Sequence, residues 1–310
     1  MPTPHQELAD FLRRARAASD PQRSGLPADL RVRRVPGLRR EEVALLAGVS
    51  TDYYTRLEQG RRIIPSTQVI DAIARALELD DAGRTHLHDL VAAAGAPRQR
   101  ARAAVQRVRP GLYQLLDALD GQPALVLGRR TDVLASNGLA RALFTDFDKL
   151  PARERNYARW MLLSDEARAL FVDWELQARN AVEALRLDAG RTPDDPGCQQ
   201  LVGELSLASP EFRRWWAEHR VHQRSHGAKH LRHPLVGELT VDYESLTLPA
   251  DPDQTLYLYS APAGSSSAQA LGLLASWTQG TGTADDGSSR RAASVTSRSF
   301  LSSSEPGTAV

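Results

Sequence analysis

The sequence predicts two domains of different class: an all-α domain of five short helices, then an α+β domain whose small antiparallel sheet is covered by helices. The length of 310 residues suits about two average domains. Apolar residues recur at helical spacing through the first part of the chain, whereas short runs typical of strands occur in the second part. We therefore expect domains at 1–94 and 108–279, with a linker at 95–107 and a tail at 280–310.

The charge of the chain divides at the same place. Residues 1–107 hold 18 Arg, no Lys and 13 acidic residues, a net charge of +5, which leaves −4 for the remainder. All five tryptophans lie in that remainder. An Arg-rich segment without Trp favours contact with a polyanion, although a solvated charged surface explains so modest an excess equally simply.

The composition excludes several classes of protein. Hydrophobic residues make up 42% and charged residues 25%, so a wholly disordered or collagen-like chain is excluded. The single cysteine, Cys198, rules out an intrachain disulfide and indicates a reducing compartment. There is no apolar run near the ~18–20 residues of a membrane span, and the polar start lacks the core of a secretory signal. We expect a cytoplasmic protein without membrane contact.

The helices of the first domain are predicted from apolar spacing and end signals. Pro21 and Gly25 break the chain after the first helix, Gly48 supplies a turn after the second, and Gly60 ends the third. The predicted helices are 5–18, 39–47, 51–58, one opened by Pro65-Ser66, and 81–94.

The second domain mixes helices with two strand pairs. Ser164 is a typical N-cap, with acidic residues following it, and is expected to start one long helix closed by Gly190. Residues 236–248 alternate apolar and polar side chains and then change phase at Leu246, which fits a bulged strand. The other predicted helices are 109–119, 137–144, one from Ser209-Pro210, and 268–277, and the other strands are 123–129, 131–135 and 255–261. The Ser/Gly/Thr-rich residues 280–310 are predicted to be a disordered tail.

The segment RREEVALLAGVSTDYYTRLEQGRR, residues 39–62, resembles the helix-turn-helix of the lambda-repressor-like (Xre) transcription factors. Ala44 is small where the second helix crosses the first, and Ser50 caps the second helix. The resemblance implies that residues 51–58 enter the major groove of duplex operator DNA. It also implies a homodimer, because such domains read two half-sites about one helical turn apart. A helical hairpin without a DNA role is the alternative.

Two sets of side chains are predicted to contact DNA. We expect Arg56 to donate to guanine and Asp52 to accept from cytosine. Arg40 stands where such repressors often carry Gln. The predicted base-reading residues are Thr51, Asp52, Tyr53, Thr55 and Arg56, and the predicted phosphate contacts are Arg39, Arg40, Gln59, Arg61 and Arg62.

Three further segments extend the resemblance to most of the chain. They are RVRRVPGLRREEV, which leads into the helix-turn-helix, and SPEFRRWWAEHRVHQ and KHLRHPLVGELTVDYESL in the second half. With them, the chain resembles the MmyB-like regulators over roughly residues 5–275. The resemblance implies a PAS-like second domain that holds a small apolar, fatty-acid-like ligand and no cofactor. Members carry a recurring Trp-Asn after the first strand pair, where this chain has Ser136-Asn137. Asn137 or His222 is expected to orient a carboxylate. The predicted ligand-lining residues are Leu127, Leu134, Asn137, Phe144, Trp160, Phe171, Trp174, Phe212, Trp215 and Trp216.

Three other groups of residues could carry chemistry. Five histidines between 219 and 233 suggest a metal site, but Gly227 interrupts the helix that would align them. Cys198 lies near a predicted helix start that would lower the pKa of its thiol, which suggests a redox sensor, although a lone cysteine in a loop usually has no such role. The pairs Asp194-Asp195 and Asp285-Asp286 are interpreted as solvated turns.

An enzyme is not expected, because the chain shows neither a P-loop nor a nucleophile paired with a base. The alternative for the second domain is a ligand-free dimerisation or protein-docking module.

Overall fold

The computed structural model describes residues 3–23, 37–95, 105–223 and 225–278. The predicted linker residues 96–104, the predicted tail and Asp285-Asp286 lie outside them.

The N-terminal unit is a bundle of five helices. Side-chain oxygens of Thr3, Ser50 and Ser66 accept from backbone N–H groups at three of the helix starts. Apolar side chains from all five helices meet in one core that includes Leu12, Val43 and Leu87. The helices are α1 (Pro4–Ala18), α2 (Arg40–Ala47), α3 (Thr51–Glu58), α4 (Thr67–Ala76) and α5 (Asp81–Gly95).

The turn between α2 and α3 depends on Gly48. Its φ of 66° lies in the left-handed region, which a side chain disfavours, and its N–H donates to carbonyls at the end of α2. Three residues after Gly48, α3 begins at Thr51. A second tie is ionic: Arg16 on α1 and Arg40 on α2 both pair with the buried carboxylate of Glu58 on α3. The three helices are therefore held together by charge as well as by packing.

The C-terminal unit is a five-stranded antiparallel sheet packed with helices, which confirms the predicted α+β class. The strands lie in the order β2-β1-β5-β4-β3. They are β1 (Ala124–Leu127), β2 (Val133–Ser136), β3 (His226–His233), β4 (Gly237–Leu248) and β5 (Asp251–Ser260). The helices are α6 (Pro110–Ala118), α7 (Gly138–Leu143), α8 (Tyr157–Leu163), α9 (Asp165–Leu170), α10 (Trp174–Arg191), α11 (Pro196–Ala208), α12 (Pro210–Ala217) and α13, residues 266–278.

The two faces of the sheet are covered differently. On the inner face, Leu239, Val241 and Tyr243 alternate inward from β4 into a large core shared with α7 to α13. On the outer face, α6 sets Leu112 and Leu116 against the first strands and β5. The register of β4 and β5 runs unbroken through Leu246, which pairs with Leu256 on the outer face, so the phase change at Leu246 does not mark the predicted bulge. The register shifts only at Thr247/Leu248, beside the turn into β5.

The single long helix expected after Ser164 is wrong. Ser164 caps α9 instead, and the chain leaves the helix at Phe171 before α10 begins at Trp174. The reason is a long-range pairing: Phe171 forms an antiparallel bridge with Leu231 of β3, and the Val172 N–H donates to the His230 carbonyl. Tertiary pairing overrides the helical apolar spacing there.

The sequence reasoning missed two elements, α8 and β3, and gave α11 only as a helix start near Cys198. Asp195 is not part of a solvated turn, because its side chain caps α11 at the Gly197 N–H and accepts from Arg130. The Asp-Pro start of α11 was a readable signal. In β3 the side chains of Lys229, Leu231 and His233 alternate inward, which places the histidine-rich segment in the sheet.

Candidate DNA-reading surface and ligand-binding core

Helix α3 presents a polar outer face. Thr51, Asp52 and Arg56 are exposed, and Tyr53 and Thr55 are partly exposed. Tyr54 and Leu57 face inward and hold the helix on the bundle. Arg56 and Asp52 lie 3.9 Å apart on adjacent turns, with most of each side chain in solvent. Such a pair is weak, so both groups remain able to bond to base edges.

The predicted phosphate-contacting residues flank this helix. Gln59, Arg61 and Arg62 follow its C-terminal end and are exposed, while Arg39 precedes α2 and is partly buried. Arg40 differs from the others because its guanidinium pairs with Glu58. In this structure Arg40 therefore ties α2 to α3.

The predicted ligand-lining residues gather mostly in the inner core. Phe144 and Phe171 lie parallel with ring centroids 6.2 Å apart, and Trp160 packs edge-on against both. Phe212 and Trp216 stack beside α10, and Trp174 lies against Trp215. Leu127 belongs to the same inner core, whereas Leu134 packs on the other face of the sheet under α6. Nine of the ten residues are apolar side chains of a packed interior.

Asn137 is a structural residue, contrary to its expected role in orienting a ligand. Its Oδ1 accepts from the N–H groups of Ala124 and Ala140, and its Nδ2 donates to the carbonyls of Leu119 and Gln122. These four bonds use the full capacity of an amide side chain. His222, the other candidate, borders a surface groove of about 490 Å³ that has a mixed polar and apolar lining.

Sequence reasoning missed a buried lysine in the inner core. Lys229 lies on the inward face of β3 with only 4% of its surface exposed. Its Nζ donates to Oε1 of Gln177 on α10 at 2.9 Å. The alternation Lys229-Leu231-His233 was the available signal, but it has meaning only once this segment is known to be a strand.

The two units also meet directly, which the linker hypothesis did not anticipate. Helix α5 packs against α10, where the ring of His86 fits over Gly190. A cavity of about 30 Å³ lies beside this contact, bordered by Glu7, Arg186 and Trp216 among others. That volume is of the order of one water molecule. It is too small for a drug-sized ligand.

Arg186 on α10 is the centre of this contact and is 3% exposed. Its guanidinium pairs with Glu7 on α1 at 3.3 Å, donates to the Nδ1 of His219 at 3.1 Å and to the Trp216 carbonyl, and stacks on the Trp216 ring. Burial raises the pKa of Glu7.

Burial and the charge of Arg186 lower the pKa of both His86 and His219 to about 3. The Nδ1 of His219 must be unprotonated to accept a hydrogen bond from the Arg186 guanidinium, which agrees with the lowered pKa of His219.

Cys198 and the histidines do not form the reactive sites weighed from the sequence. Burial raises the pKa of the Cys198 thiol to about 12, so the expected lowering is wrong. His226 and His230 point outward from β3, and His233 contacts the Ala142 carbonyl. No cluster of His, Cys, Asp or Glu among the described residues is arranged to hold a metal ion. None of the described helices is long and apolar enough to span a membrane.

Comparisons with known families agree with this division. A family model described as the MmyB-like transcription regulator ligand binding domain matches residues 108–274, more than half of the chain. A helix-turn-helix domain model matches residues 7–87. A search of curated proteins found no match.

Proposed function

The chain belongs to the MmyB-like transcription regulators, and from that membership we propose that it reads operator DNA as a homodimer and senses a small apolar, fatty-acid-like ligand in its second domain. A DNA-binding regulator with a ligand-binding domain is what the two family matches establish. The operator, the dimer and the fatty-acid-like ligand are the proposed part.

The DNA-reading part of the proposal is supported by the outer face of α3. The residues on this face are polar and at least partly exposed, so it is not a face that packs against an apolar core. Arg61 and Arg62 extend the basic surface beyond the end of the helix. In a helix-turn-helix, this is the helix that lies in the major groove. Selection from random duplexes should therefore recover a two-fold symmetric site with half-sites about one helical turn apart.

The ligand part of the proposal is supported most by the aromatic content of the inner core. Phe144, Trp160 and Phe171 touch one another over the inner face of the sheet. A hydrocarbon chain that enters must move these rings, so binding should change tryptophan fluorescence. All five tryptophans belong to this domain, so a fluorescence change in the full-length chain arises there or, through Trp216, at its contact with the DNA-binding unit.

The test is native mass spectrometry of the purified full chain, with extraction of any bound compound, followed by fluorescence titration with fatty acids of increasing length. We expect a co-purifying or added lipid to bind and to raise the melting temperature with the logarithm of its concentration. If no lipid is extracted and no chain length changes fluorescence or melting, the second domain is the ligand-free dimerisation or docking module instead.

Coupling of ligand to DNA is proposed to pass through α10. One face of α10 carries Ala178, Ala181 and Leu185 into the aromatic core, and the other carries Arg186 and Gly190 to the DNA-binding unit. A ligand that displaces α10 must therefore alter the contact between the two units.

The coupling is tested by replacing Arg186→Met and comparing operator affinity with and without bound lipid. The matched control is Arg191→Met, because Arg191 also crosses to the DNA-binding unit, at Asp89, but its side chain is 42% exposed against 4% for that of Arg186. Lipid should shift the operator affinity of the wild type and of the Arg191 variant, and should not shift that of the Arg186 variant. An unchanged lipid effect in the Arg186 variant would place the coupling elsewhere.

A further inference from the structure

The inner face of the sheet changes in character along β4 and β5. In the aromatic core, Tyr243 lies opposite Tyr259 across the two strands. The next two cross-strand pairs on the same face are Ser245 with Tyr257 and Thr247 with Thr255. All four side chains carry a hydroxyl, which donates one hydrogen bond and accepts two, so it can bond again when part of that capacity is in use. The end of the sheet therefore offers a row of hydroxyls beside the packed core.

This row of hydroxyls forms one wall of the surface groove of about 490 Å³ that His222 borders. Small-molecule sites have volumes of about 300–1,000 Å³, so the groove is large enough for a ligand. Its other wall is α10, where Ala184 and Leu187 supply apolar side chains. The aromatic rings of the core must move to admit a ligand, whereas this groove is already formed.

The charged side chains of the groove balance one another. Its lining includes two arginines and two aspartates. They form two ion pairs, Arg129 with Asp253 and Arg191 with Asp188, each at 3.8 Å. An ionic ligand would have to compete with these pairs, and the groove has no excess of either charge to attract it. The lining therefore favours an uncharged ligand.

We propose that this groove binds a neutral monosaccharide. A sugar ring presents hydroxyls around its edge and C–H groups on its faces, which matches a groove with a hydroxyl wall and an apolar wall. The sugar hydroxyls bond to Thr247 and Thr255, and a C–H face of the ring lies on Ala184 and Leu187. This site goes beyond the proposed fatty-acid-like ligand, because the aromatic residues Phe144, Trp160 and Phe171 do not border the groove.

The experiment measures binding of D-glucose, D-galactose and D-mannose to the full-length chain by saturation-transfer difference NMR and thermal melting. The sugars are used at millimolar concentrations, where their general exclusion from protein surfaces has little effect on stability. We expect at least one of the three to bind and to raise the melting temperature with the logarithm of its concentration. The 6-phosphate and the 2-amino derivative of that sugar should bind more weakly, because each adds a charge that the groove does not balance.

Two variants test the two walls. The double variant Thr247→Val/Thr255→Val removes two hydroxyls, keeps β-branched side chains in the strands, and should weaken sugar binding by roughly 10-fold or more. Ala184→Phe fills the groove from α10 and should abolish binding. The matched control is Thr240→Val, because Thr240 is an exposed threonine of the same strand on the outer face of the sheet. It should leave the sugar affinity unchanged.

The sugar site is overturned if none of the three sugars binds, or if a charged derivative binds more tightly than its neutral parent. Unchanged affinity in the double threonine variant also overturns it. Both threonines are at least partly exposed, so this variant keeps the test valid even if Ala184→Phe does not fold. Fatty acids should bind the double threonine variant as they bind wild type, so failure of the sugar site and failure of the proposed apolar site are separate results.

Discussion

Replacing Gly190 by alanine adds one methyl group, and we expect that group to push the two units apart. A Cβ added at Gly190 would lie 2.5 Å from the Nδ1 of His86 and in still closer overlap with the neighbouring ring carbon. His86 is itself 2% exposed and packs edge-on against Phe11 at 5.1 Å. The ring therefore has little room to retreat. Gly190→Ala must displace α5 from α10 or force His86 out of its site.

The magnitude follows from two opposing effects. Alanine is favoured over glycine inside a helix by about 1 kcal/mol, and Gly190 is helical. Overpacking of a filled contact costs about 1–3 kcal/mol, so the net change in unfolding free energy is a loss of up to about 2 kcal/mol. Gly203 on α11 supplies the control, because a Cβ there meets nothing within 4 Å. Gly203→Ala should stabilise the chain by about 0.5–1 kcal/mol.

The assay is thermal and urea denaturation of both variants, followed by tryptophan fluorescence. Gly190→Ala should melt below wild type and Gly203→Ala above it. Limited proteolysis near residues 96–104 should also be faster in the Gly190 variant if the two units separate. Equal stabilisation by the two substitutions would show that His86 does not pack on Gly190 in solution. That result would contradict the packing of α5 against α10.

Three further predictions use other parts of the chain. Arg56→Ala should cost about 1–3 kcal/mol of operator binding and relax preference at one base pair, whereas Arg61→Ala should weaken operator and random DNA alike and reduce the salt slope by about one; equal losses from both variants on both DNAs would refute the assigned roles. The pKa values of His86 and His219 are lowered to about 3 in the folded chain, so only the unfolded chain takes up their protons as the pH falls below about 6.5. The free energy of unfolding should therefore decrease toward pH 3 by up to ~1.4 kcal/mol per pH unit for each histidine. The raised pKa of Glu7 partly opposes this loss. Urea denaturation at neutral pH and near pH 5 measures this, and a flat profile contradicts it. A chain ending at Gln279 should keep its melting temperature within about two degrees, because a Ser/Gly/Thr-rich segment has little to bury; a larger fall would show that the tail packs.

The helix-turn-helix could be predicted closely because its signals are local. Ser50 and Ser66 start helices and Gly48 makes the turn, each within a few residues of the backbone group that it satisfies or the conformation that it permits. The predicted helix 51–58 has the observed bounds. Local propensity, periodicity and end signals agree there, and little tertiary information is needed.

The second domain was harder because long-range pairing decides its elements. The helical spacing through Phe171 is real, yet its bridge to Leu231, 60 residues later, breaks the helix. Strand β3 was missed because charged and histidine residues obscured its alternation. The burial of Lys229 was missed for the same reason, since it follows only from the pairing of β3 with β4.

In the proposed coupling, the direct contact between the two units transmits the effect of the ligand, and the linker need not do so. Helix α1 carries Glu7, which pairs with Arg186 of α10, and nine residues later Arg16, which pairs with Glu58 of α3, the helix proposed to read DNA. Nine helical residues span about 13.5 Å, so α1 joins the two ion pairs through a rigid segment. A shift of α10 would tilt α1 and, because Glu58 is buried and fixed by two arginines, would move α3 with it. Lengthening the segment at 96–104 should therefore leave a lipid effect on operator binding intact, whereas Glu7→Gln should reduce it without touching DNA or ligand. If the longer linker abolishes the effect and Glu7→Gln does not, transmission runs through the linker at 95–107 instead.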